Sequence, residues 1–166
     1  GPSGPLEPGY IEINVDNEVE FQDFFVQGAS PPAQGNANPN ADIFGQGTRI
    51  AVDGRPTSLP VRTIRADITL IIEGFPNFAA FAAVTGARNA TVFQGGAIGS
   101  VLYTGARSNR VGENVWSVTH SFVQDDFFHC RQIGKFDSQG DVLEAYWVQP
   151  FLQTADFDLA LGIPEL

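Results

Sequence analysis

The stretch QDDFFHC, residues 124–130, brings two carboxylates, an imidazole and the chain's only cysteine into seven positions. Asp125, Asp126, His129 and Cys130 are all residue types that hold divalent cations. Their spacing nevertheless matches no zinc or calcium pattern, since zinc ligands recur as spaced Cys and His pairs and calcium loops alternate their oxygens. Cys130 as a nucleophile needs a base beside it, oriented by a third group. His129 is its direct neighbour, and successive side chains on extended backbone point apart. His120 lies nine residues before His129, so one straight strand through both would send them to opposite faces. His120 shares a face with Trp116 and Phe122 and is expected to be a histidine satisfied in or at the rim of the core. No catalytic, cofactor-binding or metal-binding residue is assigned, and no enzyme activity is expected. What stays open is whether His120, His129 and Cys130 face the core or a neighbouring subunit.

Other motifs add no chemistry. GQG at 45–47 and GGAIG at 95–99 are not phosphate loops, because the Lys-Ser/Thr ending and the following helix are missing. Their glycines suit turns and bulges. No GxSxG, HExxH, paired CxxC or EF-hand loop occurs. A carboxylate pair for glycoside hydrolysis is a three-dimensional feature, and the aromatics that line sugar sites form no evident cluster. Both tryptophans fall inside strand patterns and are read as core.

The elements that must position these residues are mostly strands. YIEINVD (10–16) alternates Ile11, Ile13 and Val15 with Glu12, Asn14 and Asp16, the mark of a half-buried strand. Asp16-Asn17 reads as a turn, after which EVEFQDFFVQ (18–27) pairs back as a hairpin or bends at a bulge. GASPPAQGNANPN (28–40) is a long loop, either a surface loop or an arm that reaches a neighbour. TRIAVDG (48–54) is a short strand and RPTSLP (55–60) a turn region. VRTIRADITLIIEG (61–74) is the strongest strand signal. PNFAAFAAVTG (76–86) is the one helix, started by Pro76 and stopped by Gly86. ATVFQG (90–95), SVLYTG (100–105), VWSVTHSFV (115–123) and DVLEAYWVQPF (141–151) are further strands. RSNRVGEN (107–114) is a turn region, and Gln-Asp-Asp at 124–126 a turn followed by an extended stretch. The tail from Thr154 is an edge strand or a docked extended tail.

The pattern predicts a mainly β fold: an antiparallel β-sandwich or barrel with one short α-helix, about 76–86, packed against it. Residues 10–166 form a single β-rich domain with the long loop at 28–40. Residues 1–9 are a flexible N-terminal segment beginning Gly-Pro, which is either the scar of tag removal or a matured terminus. No apolar run approaches the roughly 20 residues of a membrane-spanning helix, so no membrane partner is expected. The net charge of −10 argues against specific nucleic-acid binding, which needs a cationic surface. Residues 1–48 carry seven acids and no base; residues 49–110 carry seven arginines and three acids; residues 111–166 carry nine acids and two bases. Either these charges intermix on the folded surface, or they define two opposed faces of a subunit that stacks on its copies.

One further pattern spans residues 86–149. "TGARNATVFQGGAIGSVLYTGARSNRVGENVWSVTHSFV", followed by "EAYWVQPF", resembles a strand-and-turn signature of tailed-phage and phage-derived virion structural proteins. It is similar in its Thr-Gly at a helix end, its Phe-x-Gly and its Trp-x-Val-Thr-x-x-Phe, while the signature's later Tyr-x-Trp-Val strand stands here as Tyr146-Trp147-Val148. The resemblance covers about 65 of the 166 residues and brings no active-site residues. It implies a tail-tube-like subunit that assembles with itself into a ring or tube, and with other virion proteins, with no cofactor. The implied location is the virion, assembled in the host cytoplasm. The alternative reading is a β-sandwich module that binds carbohydrate or a host surface.

Overall fold

The computed structural model describes residues 6–27, 49–50 and 56–164. Among these, ten strands and two short helices follow one another. They are β1 (Ile11–Phe24), β2 (Val26–Gln27), β3 (Arg49–Ile50), β4 (Thr57–Glu73), α1 (Phe78–Val84), β5 (Arg88–Asn89), β6 (Val101–Gly112), β7 (Val115–Asp125), β8 (Arg131–Phe136), β9 (Val142–Val148), β10 (Thr154–Ala155) and α2 (Phe157–Leu161). The main sheet has the order β1-β4-β7-β6-β5-β10. Its first four strands are antiparallel neighbours, and β10 adds parallel to β5. It does not close into a barrel, since β1 and β10 stand at its two ends. The β8-β9 hairpin is a second sheet, and β2 and β3 form a short pair of their own.

Two cores lie on opposite faces of the main sheet, and β4 serves both. Along β4, Ile68 and Leu70 point to one face, where they meet Tyr103, Phe122, Phe93, Val84, Phe157 and Leu161. Val61, with its same-face neighbour Leu59, points to the other face, against Phe24, Trp147, Ala145 and Cys130. A period of two residues sends odd and even positions to opposite sides. The 17-residue length of β4 lets each half use a different side. Helices α1 and α2 cover the first face and the β8-β9 hairpin covers the second.

Several boundaries differ from the sequence expectation. Asp16-Asn17 makes no turn: both residues continue β1, opposite Arg65 and Ile64. The strand itself runs unbroken from Ile11 to Phe24, with only Asn17 interrupting its apolar face, and Arg65 binds both Glu18 and Glu20, so the long partner strand overrides the local turn preference. Thr57–Pro60, read as a turn, is the start of β4. Pro60 is tolerated because β7 joins β4 only from Thr63 onward, leaving that side of Pro60 without a ladder to break. Arg107–Gly112 is strand, and the turn shrinks to Glu113-Asn114. ATVFQG is no strand. Gln94 and Gly95 take left-handed φ of 49° and 77°, and Phe93 and Gly96 exchange backbone hydrogen bonds of 3.1 and 2.7 Å. This is hairpin-turn geometry, and it drops Phe93 between Phe122 and Phe157. A Cβ on Gly96 would lie 2.5 Å from a Val101 methyl, which is why glycine stands there.

The expected helix forms as α1, capped by Asn77, whose Oδ1 accepts from Ala80 N–H at 3.1 Å. The tail is the short edge strand β10 followed by an unforeseen helix, α2. Asp156 caps α2, and Gly162 ends it with a φ of 66°. The long loop 28–40, the 45–47 glycines and most of the 48–54 strand lie outside the described residues.

Trp147 is 1% exposed and anchors the second core against Phe24 and Phe127. Trp147→Ala is expected to lower the unfolding free energy by about 3–5 kcal/mol, read from urea denaturation. A loss below about 1 kcal/mol would show that the hairpin core contributes little.

Candidate functional site

The QDDFFHC stretch is a junction between the cores. β7 ends at Asp125, and a five-residue connection, 126–130, carries the chain to β8 at Arg131. The extended stretch expected after Asp126 is absent. Phe128 and His129 both adopt left-handed backbone, φ 55° and 65°, which side chains other than glycine rarely take. The strand rule that set His129 and Cys130 apart therefore does not apply.

The buried Asp125 carboxylate holds this turn. Its Oδ1 accepts from the backbone N–H of Phe127 and of His129, each at 2.9 Å. Its Oδ2 accepts from the Arg131 guanidinium at 3.0 Å and lies 3.5 Å from His129 Nδ1. The other edge of His129 donates from Nε2 to the Ser100 carbonyl at 2.8 Å, tying the turn to the start of β6. Burial is the largest influence on His129 and pushes its pKa down. The Asp125 carboxylate and the carbonyls of Ser100 and Val123 pull the other way. Asp126, by contrast, is exposed and pairs with Arg62 at 3.0 Å across open surface, an interaction worth little in water.

Cys130 is fully buried. Burial pushes its thiol up to about 11, against the opposing charge of Arg88. Its sulfur accepts from Gln149 Nε2 at 3.4 Å. A buried, protonated thiol is no nucleophile. Among the described residues, no group of three or more His, Cys, Asp or Glu could hold a metal ion. His129 and Cys130 therefore face the protein interior.

His120 lies in the first core and is fully buried, as its position predicted. Its Nδ1 is 2.9 Å from the Tyr103 hydroxyl. Burial lowers the His120 pKa to about 4 and raises that of Tyr103, so both groups are neutral near pH 7. The expected satisfaction is only half met, because Nε2 has no hydrogen-bond partner.

Two features escaped the sequence. Arg88 is 2% exposed, with Nε donating to the Phe151 carbonyl at 2.8 Å and Nη1 to the Gly99 carbonyl at 3.2 Å. Nothing in its sequence context distinguishes it from a surface arginine. Trp116, read as core, is only half-buried and stacks edge-on against the exposed Phe75, which in turn meets the exposed Phe78, each with ring centroids 5.1 Å apart. The charge segments of the sequence partly intermix, since Arg62 and Arg65 pair with acids of the flanking segments. Comparison with protein-family models, curated proteins and solved structures finds no match to this chain.

Cys130 is expected to be inert to a thiol reagent such as DTNB in the native protein at pH 8 and to react fully once urea unfolds the chain. Rapid native labelling would contradict its burial. A second expectation concerns acid. Unfolded, His120 binds a proton near pH 6.5; folded, only near pH 4. Between those values the unfolded state holds more protons, so stability falls as the pH drops. From pH 7 to 5 the loss is about 2 kcal/mol from this residue, read from urea midpoints. His129, shifted in the same direction, adds to it. Unchanged stability over that range would contradict both assignments.

Proposed function

We propose that the protein is a non-enzymatic subunit that assembles with its own copies, in the manner of a tail-tube-like component of a phage-like particle. The observation that supports this best is the free edge of β1. The strand is 14 residues long, and no other strand pairs with its outer side among the described residues. Long unprotected edges are templates for pairing with another chain. Ile13, Val15, Val19 and Phe21 are all exposed along it, Phe21 by 70%. An apolar groove of about 290 Å³ runs beside them, floored by Ala66, Ile68 and Phe122.

The opposite side of the sheet offers a complementary partner. Beyond Tyr103, β6 has no strand on its outer side among the described residues. Its exposed Arg107 and Arg110 face solvent there, while Glu12, Asp16 and Asp23 are exposed on β1. β1 and β6 run in opposite directions across the four-strand antiparallel ladder. Two copies side by side in one orientation would thus bring β6 of one against β1 of the next as a further antiparallel pair. Such a head-to-tail contact generates a ring where the rotation closes. The phage assignment rests on the residue pattern of 86–149, and the assembly reading on the edge.

A second reading has its own observation. The exposed Phe75 and Phe78 beside Trp116 are what a carbohydrate- or host-surface-binding module would present. Binding on a glycan array that is lost in Phe75→Ala would favour it.

For the first reading, light scattering and electron microscopy of concentrated protein are expected to show rings or tubes. The double variant Val19→Lys with Phe21→Lys, both on exposed positions, is expected to stay folded by circular dichroism and to remain monomeric. A wild-type protein that stays monomeric at high concentration would overturn the assembly reading.

A further inference from the structure

One row of residues crosses the main sheet on the side away from the first core. Glu12 of β1 stands opposite Thr69 of β4, Thr69 opposite Thr119 of β7, and Thr119 opposite Arg107 of β6. The two threonine hydroxyls lie 2.9 Å apart and satisfy each other. Arg107 ends the row at the outer edge of β6. It is exposed and makes no ion pair among the described residues. On the same side of β6, Gly105 and Asn109 carry no charge. Arg107 is therefore the one charge that the free stretch of β6, residues 104–112, presents on this face.

β1 presents four acids on the same face: Glu12, Asp16, Glu18 and Glu20. Arg65 already holds Glu18 and Glu20. Glu12 and Asp16 make no ion pair among the described residues. Either could receive an arginine from a strand laid along the outer side of β1.

We propose that Arg107 of one copy stands directly opposite Asp16 of the next, and that this pair fixes the register in which β6 adds to β1. The inference rests on the assembly reading and adds the register to it. Three arguments select Asp16. A slide by one residue would turn Arg107 to the face of Ile13 and Val15, so only even steps are open. Opposite Glu12, Arg107 would leave residues 109–112 beyond Ile11, where β1 begins. Opposite Asp16, the whole stretch 104–112 lies along residues 11–19 and every ladder position is used. The third argument is closure. Strands of a closed sheet tilt by about 35–45° and lie about 4.8 Å apart. Across the four strands β1-β4-β7-β6 the rows slip by about 13–19 Å, or about four to six residues. The step from Glu12, where the row of Arg107 begins, to Asp16 matches that slip. It also makes the signs alternate, since Asp16 has Arg65 on its inner side. The pair selects the register and adds little to affinity, because exposed ion pairs are weak.

The test uses paired cysteines in the full chain, whose own Cys130 is buried. Asp16 and Arg107 of one copy are three strands apart, about 14 Å, too far for an internal disulfide. Asp16→Cys with Arg107→Cys is expected to give a ladder of covalent oligomers on mild oxidation, seen on a non-reducing gel. Glu12→Cys with Arg107→Cys should give none. Charge reversal supplies a second readout. Asp16→Arg alone and Arg107→Asp alone, both at exposed positions and checked for folding by circular dichroism, should each raise the concentration of half-association about fivefold. The two combined should restore it. A ladder from the Glu12 pair instead, or association that the single reversals leave unchanged, would overturn the register while assembly stands. Wild-type protein that never associates would overturn both.

Discussion

A carboxylate taken out of water must be surrounded by donors, and Asp125 carries that requirement for this chain. Its side chain is 2% exposed, so two backbone N–H groups and a guanidinium have to be brought to it. Supplying them fixes the turn. Phe127 and His129 must present their N–H groups to one oxygen, and this holds Phe128 and His129 in left-handed backbone. Arg131 must fold back from the first residue of β8. Removing the carboxylate would leave its donors buried and unsatisfied, which costs more than the bonds contribute when made.

The turn matters because of where it lies. β7 is shared between the two cores: Val118, His120 and Phe122 face one, while Asp125 sits at the end of the strand beside Thr63 of β4. From there the chain crosses to the hairpin that covers the opposite face. His129 reaches back to Ser100 at the start of β6, and Phe127 packs forward on Phe24 and Trp147. Gln149 donates to the Phe128 carbonyl at 2.8 Å, and Arg88 holds the next segment through the Phe151 carbonyl. The residues that looked reactive are thus the polar fastening between two apolar layers. Burial raises the Cys130 thiol and lowers the two imidazoles.

Much of the fold was legible because alternation is a strong signal where one face is buried. β4, β7 and β9 emerge from period-two patterns, and α1 from its apolar spacing between Pro76 and Gly86. The failures have two physical sources. Turn-forming letters at Asp16-Asn17 and at 107–112 were overruled by long partner strands, which supply ladder bonds whatever the local preference. Elsewhere, two-residue features were too short to outweigh composition: the left-handed pair Gln94-Gly95 turned an apparent strand into a tight turn. Helix α2 did have its signal, Asp156 before Phe157 and Gly162 after Leu161, but five residues give too little periodicity to see. For the site, the sequence led to the stretch where the buried polar groups gather. Its reason for setting His129 and Cys130 apart, opposite faces of an extended strand, is not the one the backbone uses. The buried role of Arg88 and the half-satisfied His120 depend on tertiary neighbours that no local pattern encodes.

Among the described residues, no strand pairs with the outer side of β1 or with that of β6 beyond Tyr103, and an apolar groove runs between β1 and Phe93. The central claim is that β1 is a strand awaiting a neighbour's strand. Hydrogen–deuterium exchange at low and high protein concentration addresses it directly. The account predicts that amides of residues 11–24 and 104–112 gain protection together as concentration rises, while the rest of the main sheet is unchanged. Exchange of β1 that is independent of concentration, or protection gained only elsewhere, would contradict it.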